Sequence, residues 1–158
     1  MLIPARCSQV DVGNNSIGKE QALNLISIFK EKDQMVSVGL ERCCDLGVDG
    51  AKAVADYVSV SASLTDLNLA NNSLTGGKYV KESKLAGSSF KSGDKVIYEG
   101  QELTVLAPTD SDGDVVLGSV EGIIAIADAL GVNASLTKIE CACPQNEPTW
   151  PFIVPFYH

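Results

Sequence analysis

The chain has 158 residues, of which 45% are hydrophobic, and a formal net charge of −8. This length is enough for one well-buried core with a small second element. The negative balance opposes sequence-independent attraction to phosphate backbones, so nucleic acid is excluded as an expected partner.

No stretch of the sequence approaches the roughly 18 apolar residues that span a bilayer, and residues 1–6 lack the layout of a secretory signal. The five cysteines form no regular framework, and their odd number leaves at least one outside any intrachain disulfide. We therefore expect no transmembrane segment, and a reducing intracellular compartment, either cytoplasm or organelle interior, rather than secretion.

A short apolar pattern recurs four times: apolar, two residues, apolar, one residue, apolar. Its members are Cys7, Val10 and Val12, then Met35, Val38 and Leu40, then Leu64, Leu67 and Leu69, and finally Leu136, Ile139 and Cys141. The pattern predicts four short strands that each point their apolar residues to one side.

Three amphipathic stretches with helical spacing, residues 19–30, 49–58 and 119–130, precede the second, third and fourth copies. A unit of one helix and one short strand cannot cover its own apolar face. Successive units must therefore stack, with the strands in a parallel sheet and the helices packed on its convex side.

The repeated unit resembles leucine-rich repeats of the ribonuclease-inhibitor-like class. The matching residues are Gly50, Ala51, Ala55, Leu64, Leu67, Leu69, Asn72 and Leu74 in one unit, and Gly122, Ala125, Ala127, Leu130, Asn133, Leu136 and Ile139 in the last. The resemblance implies an α/β fold, a short leucine-rich-repeat solenoid with parallel strands inside and helices outside. It also implies that Asn72 satisfies backbone groups where the chain leaves its strand.

The interval between the third and fourth copies exceeds one repeat, which indicates an insertion. Strands are predicted over residues 94–98, 102–106 and 114–117, as an antiparallel β-meander with turns at Gly100 and Gly113, whereas residues 78–92 have the composition of a loop. The meander resembles part of an SH3-like barrel. The expected organisation is repeats over 1–75, the insertion over 76–118, the last repeat over 119–143 and a tail over 144–158.

One turn of the insertion offers carboxylates for a calcium-binding alternative. Asp110, Asp112 and Asp114 alternate, and Glu121 falls at the twelfth position of an EF-hand loop. The sixth position of such a loop needs glycine, but here it holds Val115. A hairpin turn also accounts for the three aspartates. A calcium- or small-ligand-responsive module centred on the meander is the alternative function, while we expect no resident metal.

No catalytic constellation is visible. The sole histidine is His158, with no nucleophile paired to it, and "TGGK" lacks the first glycine of a phosphate-binding loop. Cys141 is expected to point into the core as a buried thiol, away from Cys43 and Cys44. We therefore expect neither enzymatic activity nor a cofactor.

Residues that alternate with the inward apolar positions are expected on the concave face of the sheet. This face carries Asp11, Glu41, Asp66, Asn68 and Glu140, with Lys138 as its one basic residue. The pattern favours a basic protein partner, and a plain solvated surface is the alternative.

Residues 144–158 combine four prolines with Trp150, Phe152, Phe156 and Tyr157. Proline blocks both helix and central strand, so this tail either caps the open end of the array or binds a partner. The whole pattern predicts a non-catalytic protein–protein interaction scaffold, a small subunit or peripheral component of a larger assembly. Its partners would be one or more proteins, such as those of a membrane-associated or organellar complex.

Overall fold

The structure is a computed structural model that describes residues 7–32, 34–42 and 45–141. Within these ranges the chain forms three α-helices and eight β-strands. The helices are α1 (Lys19–Lys30), α2 (Gly47–Val60) and α3 (Glu121–Val132). The strands are β1 (Gln9–Asp11), β2 (Ser37–Gly39), β3 (Asp66–Asn68), β4 (Lys78–Lys81), β5 (Lys95–Tyr98), β6 (Gln101–Ala107), β7 (Asp114–Gly118) and β8 (Lys138–Glu140).

The four strands of the apolar repeat form one parallel sheet in the order β1-β2-β3-β8. Their central residues Val10, Val38, Leu67 and Ile139 lie side by side in this register. Val38 and Leu67 are 1% and 0% exposed, whereas Val10 and Ile139 on the two edge strands are only half-buried. The predicted parallel sheet is confirmed, and its core is deepest at the two inner strands.

The three helices pack on one face of this sheet. The largest core cluster joins Val38 and Leu67 of the strands to Ile26 of α1, Val54 of α2 and Ile126 of α3. α1 has the predicted bounds, α2 extends further at both ends, and α3 begins and ends slightly later. The helix periodicity of the sequence is therefore reproduced, and the opposite face of the sheet is left without helices among the described residues.

The contact between α2 and α3 depends on small residues. A Cβ atom added to Gly122 would lie 2.6 Å from the Cβ of Ala51 and 3.1 Å from the carbonyl oxygen of Val48. Outside this contact, the Lys52 amine and the Glu121 carboxylate form a salt bridge of 2.5 Å between the two helices. Glycine at position 122 therefore fixes how closely α3 approaches α2.

The insertion forms a second, antiparallel sheet in the order β4-β7-β6-β5. The three predicted strands of the meander are confirmed as β5, β6 and β7. The loop prediction for residues 78–92 is wrong at its start, because Lys78–Lys81 forms β4 and pairs with β7. A separate small core lies under this sheet, composed of Val80, Leu85, Val96, Val105, Val115 and Leu117.

The chain enters the antiparallel sheet and leaves it at nearly the same place. The backbone N–H of Ser119 donates a hydrogen bond of 2.9 Å to the carbonyl oxygen of Thr75. Gly118 is in close contact there, since an added Cβ would lie 2.8 Å from the same oxygen. The chain thus enters α3 from a position adjacent to the end of the third apolar repeat.

In the parts of the chain that the structure describes, no helix combines the length and the apolar character needed to cross a bilayer.

Candidate interaction face of the parallel sheet

Polar side chains line the face of the parallel sheet that the helices do not cover. The register places Asp11, Gly39, Asn68 and Glu140 in one row, and Gln9, Ser37, Asp66 and Lys138 in the next. Since side chains alternate along a strand, these rows point away from the core that contains Val38 and Leu67. Glu41 follows β2 and extends the face beyond the first row. We call the set Asp11, Glu41, Asp66, Asn68, Lys138 and Glu140 the acidic face.

The Asp11 carboxylate lies over two glycines. A Cβ added to Gly39 would lie 2.5 Å from Asp11 Oδ1, and one added to Gly13 would lie 3.0 Å from the same atom. That oxygen accepts a hydrogen bond of 2.9 Å from the Gly13 backbone N–H. The absence of side chains at positions 13 and 39 therefore makes room for the carboxylate.

Two amide side chains hold the Glu41 carboxylate. Asn68 Nδ2 lies 3.4 Å from Glu41 Oε2, and Asn71 Nδ2 lies 3.5 Å from Glu41 Oε1. The oxygen of Asn68 is itself fixed, because it accepts a 3.0 Å hydrogen bond from the Ala70 backbone N–H. Both donors are neutral, so the negative charge of Glu41 is oriented by its neighbours and not cancelled by them.

Lys138 lies between two carboxylates at the β8 edge of the face. Its Nζ is 2.7 Å from Glu140 Oε1 and 3.8 Å from Asp66 Oδ2. The hydrogen bond with Glu140 and the charge of Asp66 raise the pKa of the Lys138 amine above its ordinary value. The Lys138 ammonium therefore interacts with the carboxylates of both Glu140 and Asp66. The face as a whole retains an excess of negative charge, which lies at Asp11 and Glu41.

The predicted residues Asp11, Glu41, Asp66, Asn68 and Glu140 thus lie on one surface in the structure. Sequence reasoning missed the contribution of Asn71, which supplies the second amide to Glu41. The doubled asparagine in "NNSL" is the signal that could have indicated it, because only Asn72 was needed for the turn. The tail residues Trp150, Phe152, Phe156 and Tyr157 lie outside the described residues.

The aspartate turn of the antiparallel sheet uses its carboxylates internally. Asp110 Oδ1 accepts hydrogen bonds of 2.9 Å from the backbone N–H groups of both Asp112 and Asp114. The Lys81 amine lies 2.8 Å from Asp114 Oδ2 and 2.8 Å from the Asp112 carbonyl oxygen. A protein cation therefore already lies against one of the carboxylate oxygens that the calcium alternative would require, that of Asp114.

Glu121, the fourth acidic residue of the calcium alternative, forms a salt bridge with Lys52 of α2. It begins α3 and pairs with Lys52, which lowers the pKa of the Glu121 carboxyl. Among residues 7–32, 34–42 and 45–141, no group of three or more His, Cys, Asp or Glu side chains is arranged to hold a metal ion.

The cysteine prediction needs one correction. Cys141 was expected to be buried, but it lies exposed immediately after β8, and Cys7 is exposed before β1. The strand ends at Glu140, so the alternation that points Ile139 inward does not continue to residue 141. Cys43, Cys44 and Cys143 fall outside the described residues.

Comparison of the chain with protein-family models, curated proteins and solved structures gave no significant match.

Proposed function

We propose that this chain is a non-catalytic interaction scaffold that binds a basic segment of a protein partner on the acidic face. The observation that carries the proposal is the charge arrangement of that face. Four carboxylates share a single ammonium, and the two that lie away from Lys138 are Asp11 and Glu41. A partner's lysine or arginine would supply the missing positive charge.

We further propose that the parallel sheet and its helices form a short leucine-rich-repeat solenoid of the ribonuclease-inhibitor-like class. The turns after β1 and β3 support this proposal. Asn14 and Asn71 both have φ of 60°, and Ser16 and Ser73 both have φ of 47°. Non-glycine residues rarely adopt this left-handed conformation, so its recurrence at matching positions favours a repeated structural unit. Stacked repeats of this type present their strand face as an extended binding surface.

The shape of the acidic face suits an extended segment of a partner. The Asp11 carboxylate lies over Gly13 and Gly39, and these two residues have no side chains that would project beyond it toward a partner. Each exposed ion pair contributes only about 0.2–1 kcal/mol, so the proposal requires several pairs acting together. Complementary charge also accelerates association and makes binding sensitive to salt.

The test is affinity capture from the source organism with two charge-matched variants of the full chain. The first, Asp11→Asn with Glu41→Gln, neutralises the acidic face. The second, Glu20→Gln with Asp56→Asn, removes the same charge from exposed positions on α1 and α2. Both variants have the same net charge, so they separate a local effect from a change in the total charge.

We expect a stoichiometric set of proteins to co-purify with the parent chain and with the helix variant. The same set should be lost with the face variant and weakened at high salt. Such a set would identify the chain as a small subunit or peripheral component of a larger assembly. Recovery of the chain alone, or equal recovery with both variants, would refute the proposed role of the acidic face.

A further inference from the structure

α3 is apolar over most of its surface, although its neighbours cover only part of it. Glu121 and Asp128 are its only charged residues. Gly122, Ile126 and Ala129 are buried, whereas Ile124 is 54% exposed. The apolar surface of a helix is normally buried against neighbouring elements. The described part of the chain therefore leaves α3 with an uncovered apolar surface.

The strand beside α3 shows the same incomplete burial. Ile139 at the centre of β8 is half-buried, while Leu67 at the same position of β3 is 0% exposed. β8 is also the edge of its sheet, so its outer backbone groups have no strand partner among the described residues. We define the terminal face as the open end of the core at α3 and β8. It comprises Ile123, Leu130, Leu136 and Ile139, which pack against the core but are only partly buried, together with the exposed Ile124.

The segment that follows β8 has the composition to cover this surface. Residues 142–158 begin directly after Cys141 and include Trp150, Phe152, Ile153, Val154, Phe156 and Tyr157. Their only acidic residue is Glu147, and they contain neither lysine nor arginine. An apolar segment next to an apolar surface lowers the area exposed to water when the two associate.

Geometry also favours this segment over a separate molecule. Fully extended, a chain of this length spans about 55–60 Å, several times the roughly 10 Å that separates packed layers. The prolines prevent the segment from continuing the repeat as a helix or a central strand, but they permit an extended cover over an edge. The covalent connection at Cys141 makes the association intramolecular, which raises the effective concentration of the segment at the terminal face.

We propose that residues 144–158 bind the terminal face of the same chain and close the β8 end of the structure, with Trp150 as an anchor. Aromatic side chains bury roughly 150–250 Å² each, so Trp150 and its aromatic neighbours can cover α3 and β8 together.

The test uses Trp150, the only tryptophan of the chain, as a fluorescent probe. In the parent chain we expect blue-shifted emission, low quenching by acrylamide and no change on dilution. Ile124→Glu places a charge on the terminal face at an exposed position, which the fold tolerates. It should shift the emission to the red and raise the quenching constant several-fold.

A matched control is available at the opposite end. Ile28 on α1 is 49% exposed, close to the exposure of Ile124, so Ile28→Glu makes the same chemical change far from β8. We expect this control to leave the emission and quenching of Trp150 unchanged. An equal shift with both variants would contradict binding at the terminal face.

A second measurement locates the segment without depending on a destabilising variant. Phe152 is replaced by the photo-cross-linker p-benzoylphenylalanine, and mass spectrometry identifies the attached peptides. Intrachain cross-links to residues 119–141 would support the proposal. It would be overturned by links to α1 or β1, by links between two chains, or by a solvent-exposed Trp150 in the parent, which would assign the tail to a partner or a membrane surface.

Discussion

Asn72 Nδ2 lies 2.6 Å from the carbonyl oxygen of Leu40, so a side chain after β3 binds the backbone after β2. The same amide also donates to the carbonyl oxygens of Leu69 and Ala70, at 3.1 Å and 3.3 Å. Asn72 is 1% exposed, so its amide makes these hydrogen bonds out of contact with water. One buried amide therefore connects two successive turns of the parallel sheet.

Replacing this amide should weaken the stack. Asn72→Ala removes the donor to the Leu40 and Leu69 carbonyl groups, while the Ala70 carbonyl group keeps its hydrogen bond from the Arg42 backbone N–H. We expect the free energy of unfolding to fall by about 1–3 kcal/mol, measured by urea titration. Asn15→Ala is the control. Asn15 has the matching place after β1, is exposed, and donates only to the local carbonyls of Val12 and Gly13. A loss as large as that of Asn72→Ala would contradict the importance of the bond between turns.

Two glycines of α3 should respond oppositely to alanine. Gly122→Ala places a methyl group 2.6 Å from Ala51 Cβ with backbone oxygens behind it, so α3 must move. We expect a loss of about 1–3 kcal/mol in unfolding free energy. Gly131 has no atom within 4 Å of an added Cβ, so Gly131→Ala should raise stability by about 0.5 kcal/mol through helix propensity. Thermal melts of both variants measure these changes. The same change in melting temperature for Gly122→Ala and Gly131→Ala would contradict the prediction.

Tyr57 combines a well-packed ring with a poorly satisfied hydroxyl. Its ring centroid is 6.3 Å from that of Phe29, and its buried hydroxyl has no hydrogen-bond partner among the described residues. Ser61 is near enough to affect the Tyr57 pKa but makes no hydrogen bond of normal geometry. We expect Tyr57→Phe to keep or raise the unfolding free energy, by up to about 1 kcal/mol. Tyr79→Phe, at a 55% exposed position, should be neutral.

The same substitution should alter alkaline unfolding. Burial raises the pKa of Tyr57 above its ordinary value of 10.0. A raised pKa in the folded state contributes stability that is present below the ordinary value and is lost as the pH rises through the folded value. Tyr57→Phe should therefore flatten the decline in stability above pH 10, in a series of urea titrations at increasing pH. An unchanged slope would mean that other groups control the alkaline limb.

The aspartate turn should depend on one carboxylate. Backbone N–H groups, that of Asp114 foremost, lower the pKa of Asp110. Asp110→Ala removes the acceptor of these N–H groups and should lower the melting temperature more than Asp112→Ala does. Asp110→Asn keeps an oxygen acceptor, so its melting temperature should lie between those of the two alanine variants. Because the folded pKa is lowered, this contribution is present above the ordinary value of 3.8 and is lost as the pH falls through the folded value. Identical melting temperatures for Asp110→Ala and Asp112→Ala would contradict this account.

Local pattern was sufficient to predict the strands and helices of the parallel sheet. Val38 and Leu67 lie in segments where apolar and polar residues alternate, and each segment is preceded by an amphipathic helix. The spacing of the apolar residues alone therefore identifies both the strands and the helices. β4 was missed for a physical reason. Its "KYVK" buries one residue, Val80, and its pairing partner β7 is distant in sequence, so the strand depends on a non-local contact.

The acidic face could be predicted only in outline. Alternation placed Asp11 and Asn68 on the same surface, because that inference requires only the pleat of a strand. The hydrogen bond from Asn71 to Glu41, and the close approach of Asp11 to Gly39, depend on loop and side-chain geometry. Such contacts arise once the strands are in register, and no single segment encodes them.

The hydrogen bond between Ser119 and Thr75 has a consequence for how the chain folds. Pairing β3 with β8 requires a loop closure over the entire antiparallel sheet, and the entropy cost of closure grows with the length of the loop. If the antiparallel sheet folds first, it brings residues 75 and 119 together. α3 then follows Thr75 as closely in space as if only a short turn joined them. A preformed inserted sheet would thus shorten the loop that the pairing of β3 with β8 has to close.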